Sequence, residues 1–446
     1  MTEPAARASR FERREADWLP VADAIARTVA AAAPLPEVTV PLLEAEGRAL
    51  AEDVTAETTL PPWDNSAMDG YAVRARDVEG AAPERPIRLP VGGVVRAGGD
   101  AGTVLEPGQA VRIMTGAPIP EGADSVIRVE DTDGEADTGF VEIRSDRDIG
   151  RHVRAAGQDM RAGTLLVAAG RAISPGVVGV LAAAGRARVR VRRRPVVALL
   201  STGDELRTLD RYDDVRSGLG VPESNGPMLA AMARAIGAEP VSLGIAADDP
   251  EALRRRISEG RHADVLVTIG GASMGEADLV KGVLDGMGFE LDFWRVRMRP
   301  GSPVSFGWLP VEGRRQAVFG LPGNPSSAFV TFELFVRPFL LRLAGHAQLR
   351  RRIVPCVAGE RIDTPAALTY FQRVRVRARD GALTAFLTGP QLSGLVTGLA
   401  SADGLAVIEP ERSAVEAGET VDVLLLDPGP AGEPDEAGAD DGGPMG

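Results

Sequence analysis

The sequence has a single cysteine, Cys356, in 446 residues. It therefore excludes an internal disulfide and any cysteine-cluster zinc or iron–sulfur centre, and it fits a reducing compartment. Histidine is almost as scarce. His152, His262 and His346 lie far apart and make no ligand spacing, so each reads as a surface or structural residue. With sulfur and imidazole ligands removed, a metal here has to be a hard cation held by carboxylates, Mg²⁺ above all. Long apolar runs are also missing: nothing approaches the ~20 residues of a membrane span. The first residues (MTEPAARASRFERREADW) are polar and lack a signal-peptide core. The expected location is the cytoplasm, with no membrane partner.

Excess positive charge is a further absence. The net charge is −13, which argues against general nucleic-acid binding, where many phosphates must be neutralised. Much of that charge is local. Residues 428–446 carry Glu433, Asp435, Glu436, Asp440 and Asp441 among Gly, Pro and Ala, and read as a disordered acidic tail. Residues 186–194 (RARVRVRRR) show the opposite bias. Alternating Arg and Val there reads as an exposed edge strand with its basic residues facing water.

What is present is a globular composition, 44% hydrophobic and 25% charged, in a chain long enough for about three domains. An Ala-rich helix is expected near 21–33. From 34 to 194 short strands broken by Gly and Pro indicate one or two small β-rich domains. From Pro195 the rhythm becomes strand–helix alternation. Residues 196–200 and 265–269 are unbroken apolar runs, as in strands buried on both faces. Asp249–Pro250 offers an N-cap followed by Pro at the first helical position. Asn324–Pro325 looks the same, opening a helix over 326–343. The fold class expected is α/β with a parallel sheet covered on both faces, plus β-rich parts before and after it.

Open parallel sheets bind ligands at the carboxyl ends of their strands. Three Gly-rich loops fall there: 201–206 (STGDEL), 270–278 (GGASMGEAD) and 320–325 (GLPGNP). Glycine lets backbone approach an anion, and the following helix N-terminus supplies free N–H groups. Three such loops at one edge indicate a single pocket for a phosphate-bearing ligand. The same loops bring Asp204, Glu205, Glu276 and Asp278, with Glu223 and Asp248 nearby. Carboxylates beside a phosphate call for a cation between them, which gives Asp204 and Asp278 a Mg²⁺-linked reading. In the β-rich half the densest polar cluster is Asp64, Asn65, Ser66 and Asp69.

These strings, with 61–71 (PPWDNSAMDGY), 114–117 (MTGA), 119–130 (IPEGADSVIRVE) and 153–159 (VRAAGQD), resemble the molybdopterin molybdenumtransferase family, that of MoeA and the gephyrin E domain. The likeness runs from about Leu60 to Gly345, with a weaker echo at 392–410. It implies insertion of molybdate into adenylylated molybdopterin with release of AMP, by a homodimer whose active site joins the α/β domain of one subunit to the β-rich arm of the other. An upstream adenylyltransferase and downstream molybdoenzymes are the partners it implies. Carried over by motif, the catalytic set is Asp64, Thr115 and Asp159 from the arm, with Glu205, Asp248 and Asp278 from the α/β domain. Substrate would be held by Ser66 and Asp69 in the arm, and by Gly203, Asp204, Glu223 and Asn225. The second and third loops add Gly270, Gly271, Ser273 and Gly275, then Pro322, Gly323, Asn324 and Pro325. Arg295 and Arg299 would receive molybdate, and Ser393 would come from the last domain.

The implied division is a leader (1–19), a linker domain (20–60 and 150–194), a β-rich arm (61–149), a MogA-like α/β domain (195–345), a β-barrel-like domain (346–427) and the tail (428–446). The sequence departs from the family pattern at His152 and Gln158, where Asn and Glu are usual. Glu223 stands for an aspartate, Arg295 and Arg299 for lysines, and Ser302 for a third lysine. On the four-residue spacing, Arg295 and Arg299 are expected on one face of a strand. A weakened paralogue serving as a scaffold and an adenylyltransferase acting one step earlier are the alternatives.

Overall fold

The computed structural model describes residues 18–99, 102–134, 139–271, 279–365 and 367–426. The leader and tail expected at 1–19 and 428–446 thus lie almost wholly outside the described residues. The chain divides into two compact units, 52–169 with 175–187, and the described part of 1–51, 170–174 and 188–446.

The first unit is built on a five-stranded mixed sheet, in the order Ser125–Arg128, Gly70–Val73, Ala110–Ile113, Ile87–Val95, Phe140–Ile143. Strict alternation along these strands feeds two small cores. Tyr71, Val73 and Ile127 face one, and Ala72, Val126 and Ile113 the other. Gly70 has to be glycine, because a Cβ there would lie 2.1 Å from the Ile127 carbonyl oxygen.

In the second unit a six-stranded sheet comprises β1 (Val196–Thr202), β2 (Glu239–Ala246), β3 (Val265–Ile269), β4 (Glu290–Trp294), β5 (Ser305–Val311) and β6 (Arg314–Leu321). Their spatial order is β2-β1-β3-β6-β5-β4, with β2, β1, β3 and β6 mutually parallel. The unbroken apolar runs are explained by burial on both faces. Val197, Leu199, Val265 and Val267 pack into one core, with helix α1 (Asn225–Ala235) and residues 325–343. Ala198, Leu200 and Leu266 pack into the other, with helix α2 (Pro250–Glu259) and Leu279–Gly286. Asp249 caps α2, its carboxylate accepting from the Ala252 amide at 2.8 Å.

Two local expectations fail. The helical stretch 325–343 is interrupted by a π turn at Phe332–Val336, just before Pro338, whose ring nitrogen cannot donate to the regular ladder. Asn324 occupies the N-cap position without capping; its side-chain amide turns instead to the Ser393 hydroxyl, 3.1 Å away.

After the α/β layers, five strands close on themselves. Thr369–Arg379, Ala382–Leu387, Ile353–Ala358, Thr420–Leu425 and Gly404–Ile408 each pair with the next, and the last pairs back to the first. This is the β barrel expected at the C-terminal end of the fold. The arginine-rich strand Arg188–Arg192 buries Val189 and Val191 and pairs with Glu37–Pro41, with Arg190 and Arg192 both reaching Glu37.

Candidate functional site

Strand order locates the crevice in the α/β layers. The chain passes from β1 outward to β2, then returns to place β3 on the other side of β1. The carboxyl ends of β1 and β3 therefore flank a topological switch point, where open α/β sheets leave room for a ligand. Gly203, Asp204 and Glu205 follow β1; Gly270 and Gly271 follow β3; Asp248 follows β2; Pro322 to Pro325 follow β6. Ser273, Gly275 and Asp278, expected in the same crevice, lie outside the described residues.

Gly270 makes the junction possible. Its φ is +93°, and a Cβ would stand 2.8 Å from both the carbonyl oxygen and the hydroxyl of Thr202 at the end of β1. Next to it the acids gather. Asp204 Oδ1 accepts from the Asp248 amide at 3.1 Å. The Asp248 carboxyl is raised above the usual aspartate range, by burial first and then by the charges of Asp204 and Glu205. Such mutual repulsion favours a divalent cation, and hard carboxylate donors suit Mg²⁺. Among the described residues no group of three or more His, Cys, Asp or Glu converges closely enough to hold a metal ion.

Other expected residues turn out to be fasteners. Glu223 Oε1 accepts from the Ser201 hydroxyl at 2.9 Å and the Gly226 amide at 2.6 Å, tying β1 to the first turn of α1. Asn225 donates to the Gly323 carbonyl at 2.7 Å, drawing the loop after β6 against the same helix start. Ser393 accepts from Asn324 and, through its carbonyl, from the Ser326 amide at 3.1 Å. The barrel thereby contributes to this loop.

The sequence reading missed the residue that holds Ser393 there. Arg373 is 2% exposed. Its guanidinium donates to the Pro390 and Leu395 carbonyls and to the Ser326 hydroxyl. Burial lowers its pKa. In the run RVRVR it looks like one more outward arginine, and it does leave the barrel core; what buries it is the packing of that face against Ser326 and the 390–395 segment.

Arg295 and Arg299 correct the sequence reading. They do not share a strand: β4 ends at Trp294, Arg295 adopts φ +68°, and Met298–Arg299 pairs with Thr369 and Tyr370 of the barrel. The Arg295 guanidinium lies over the rings of Trp294 (4.3 Å) and Trp18 (5.1 Å), whereas Arg299 is exposed. β4 stands three strands beyond β3, roughly 14 Å at ordinary strand spacing.

In the other unit three strings converge on one another. Residues Asn65 and Ser66 pair with Arg154 and Val153. The Asp64 carboxylate accepts from the Ala156 amide at 2.8 Å, and the Asp159 amide donates to the Leu60 carbonyl at 3.2 Å. Asp69 Oδ1 accepts from the Thr115 amide at 2.7 Å and its hydroxyl at 2.9 Å. The Asp69 carboxyl is lowered mainly by those two bonds. Ser66 is fully buried, its hydroxyl donating to the Met68 carbonyl at 2.5 Å. Asp64 and Asp159 are exposed. Beside them Leu60, Pro61, Arg154, Gln158 and Asp159 line an open hollow of about 540 Å³.

Three family descriptions match consecutive parts of the chain. These are the MoeA N-terminal region (domains I and II) over residues 19–185, a probable molybdopterin binding domain over 198–342, and the MoeA C-terminal region (domain IV) over 355–426. Molybdopterin molybdenumtransferase 2 of Mycobacterium tuberculosis H37Rv is 38% identical over 395 residues, covering 87% of this chain and 95% of the relative. The molybdopterin molybdenumtransferase of Bacillus subtilis 168 is 36% identical over 382 residues, 85% of this chain and 87% of the relative. A molybdopterin biosynthesis MoeA protein of Pyrococcus horikoshii OT3 superposes with a TM-score of 0.76 at 26% identity, over 92% of this chain and 100% of that one.

Proposed function

Because this chain belongs to the MoeA family of molybdopterin molybdenumtransferases, we propose that it inserts molybdate into adenylylated molybdopterin and releases AMP. The observation that carries the reading is the glycine and acid array at the β1/β3 switch point, in a chain that also bears the Asp64–Asp159 arm cluster. The glycine loops present backbone N–H groups to the phosphates. Asp204 and Asp278 would hold Mg²⁺, whose chemistry is to offset charge on the pyrophosphate. Attack at phosphorus, by water or a molybdate oxygen, expels AMP while the dithiolene sulfurs replace oxo ligands on molybdenum. Positioning and charge stabilisation supply the catalysis, as in other phosphoryl transfers. Thr115, held by Asp69, and the exposed Asp64 and Asp159 act from the arm.

The proposed assembly is a cytoplasmic homodimer in which the arm of one subunit serves the α/β domain of its partner. The finer division into 20–60 with 150–194, 61–149, 195–345 and 346–427 is part of the same proposal. The direction of adenylate flow tests the reading: AMP release from adenylylated molybdopterin supports it, and ATP consumption without AMP release from that compound overturns it.

The two arginines separate in this proposal. Arg299→Ala removes an exposed, permanently charged fork suited to an oxyanion. It should raise the molybdate concentration for half-maximal rate by about tenfold, equivalent to ~1.4 kcal/mol. Arg295→Ala loses cation–π contacts, so its main effect should be a lower melting temperature. Steady-state titration of both variants with molybdate, beside thermal melts, checks the split. Equal molybdate dependence in wild type and Arg299→Ala removes Arg299 from the site.

A further inference from the structure

The turn that carries Asp204 and Glu205 is held by backbone at both ends. The Leu206 amide donates to the Gly203 carbonyl at 3.2 Å and closes it. Beyond it the Val221 amide donates to the Glu205 carbonyl at 2.9 Å, and the Glu223 amide to the Arg207 carbonyl at 2.8 Å. None of these bonds reaches the peptide between Asp204 and Glu205. It is the middle unit of the turn, and the closing bond leaves its carbonyl unused.

Arg207 fills that gap. Its Nη1 donates to the Asp204 carbonyl at 2.7 Å and to the Leu206 carbonyl at 2.8 Å. The guanidinium is itself boxed in. Its Nε is buried and faces Asp214 Oδ2 at 3.7 Å, and Asp214 also meets Arg211 at 2.5 Å. On another side Gly220 passes so close that a Cβ would stand 2.9 Å from Arg207 Cγ. Leu209–Arg211 and the short helix Tyr212–Arg216, which bring these charges, bury no residue of their own. Leu209, Tyr212 and Leu219 stay exposed. The excursion adds nothing to the core; what it adds is a counter-charge for Arg207.

The two carboxylates take separate partners. Asp204 Oδ1 accepts from the Asp248 amide, whereas the Glu205 carboxylate folds back over Gly203, where a Cβ would meet Oε2 at 2.6 Å. A peptide is a rigid plane, so turning the one between them re-aims the side chains on either side of it. With Arg207 removed, water can bond the Asp204 carbonyl but cannot fix its direction. We propose that Arg207, backed by Asp214, is a positioning residue that locks this peptide and so sets Asp204 and Glu205 for the reaction. It bonds their main chain and acts through them.

The inference rests on the proposed reaction, so its test on the full-length protein includes a readout that needs no turnover. In Arg207→Ala, hydrogen exchange of the Leu206 amide should quicken by about fivefold, while the β1 amides of Val197 to Leu200 keep their wild-type rates. For AMP release, kcat should fall about tenfold with KM for adenylylated molybdopterin within about twofold of wild type. Groups that act on the transition state and not on ground-state binding give that split. Asp214→Asn keeps shape and removes the charge of a part-exposed pair, so kcat should fall only about twofold. That loss should vanish when Arg207 is already alanine, since the two act through one path. Unchanged Leu206 exchange in Arg207→Ala overturns the positioning role. So does a loss carried by KM alone, which would make Arg207 a substrate contact. Faster exchange with wild-type kcat overturns the link from turn to reaction. An Asp214→Asn loss that persists in full beside Arg207→Ala overturns the part given to Asp214. Faster exchange with no AMP release from any of the proteins, wild type included, upholds the locked turn and overturns the proposed function instead.

Discussion

Subunits carrying Asp64→Ala and subunits carrying Asp248→Ala, each inactive alone, should regain about a quarter of wild-type AMP release when co-expressed. In a two-fold dimer, random assembly makes about half the dimers mixed, and each mixed dimer then owns one intact site out of two. This holds only if an active site takes its arm from one subunit and its α/β loops from the other. If both came from the same subunit, every site in every mixed dimer would carry one lesion. Each single variant should lose about 10²–10⁴-fold in kcat, the usual range for a group acting on the reacting atoms. The two lesions differ in what they cost the fold. Asp64→Ala removes an acceptor from the Ala156 amide, a loss of about 1 kcal/mol. Asp248→Ala removes a carboxyl already disfavoured by burial and by its acidic neighbours, so its melting temperature should not fall. Affinity tags of two kinds isolate the mixed dimer. Silence from that species contradicts the shared site.

Gly270→Ala should abolish activity and lower the melting temperature by several degrees. The alanine would have to adopt φ +93° and place its Cβ 2.8 Å from the backbone oxygen of Thr202. The conformation alone costs roughly 1–3 kcal/mol. Relief of the contact needs β1 and β3 to part at the switch point, and backbone cannot swing away as a flexible side chain can. Gly47→Ala is the control: φ is +77° there too, but nothing lies within 4 Å of the added carbon. Its loss of stability should be smaller and its activity unchanged. Turnover at the wild-type rate in Gly270→Ala would remove the β1/β3 junction from the phosphate site.

The α/β layers were legible because strands buried on both faces leave unbroken apolar runs, and because Asp249–Pro250 is a strong helix-start signal. The crevice was legible for the same reason: glycine loops directly after such strands have one geometric place to be. What local pattern could not show was long-range closure. Arg373 sits in an Arg–Val alternation, and only the packing of the barrel's outer face on the helix at Ser326 buries it. Arg295 and Arg299 have the spacing of strand neighbours, yet the chain breaks at a left-handed residue and joins a different sheet. Glu223 and Asp69 look like free acids in sequence, while in the fold their carboxylates are taken up by Ser201, Gly226 and Thr115.

The central claim is that cleavage of the adenylate and capture of the metal are one reaction on this chain. The most direct measurement is a single turnover with adenylylated molybdopterin, Mg²⁺ and molybdate, counting AMP released against molybdenum bound in the product. Equal amounts of the two, with AMP release stalled when molybdate is withheld, are the predicted result. AMP release at full rate with no molybdenum in the product would contradict it, because the protein would then be a hydrolase of the adenylate alone.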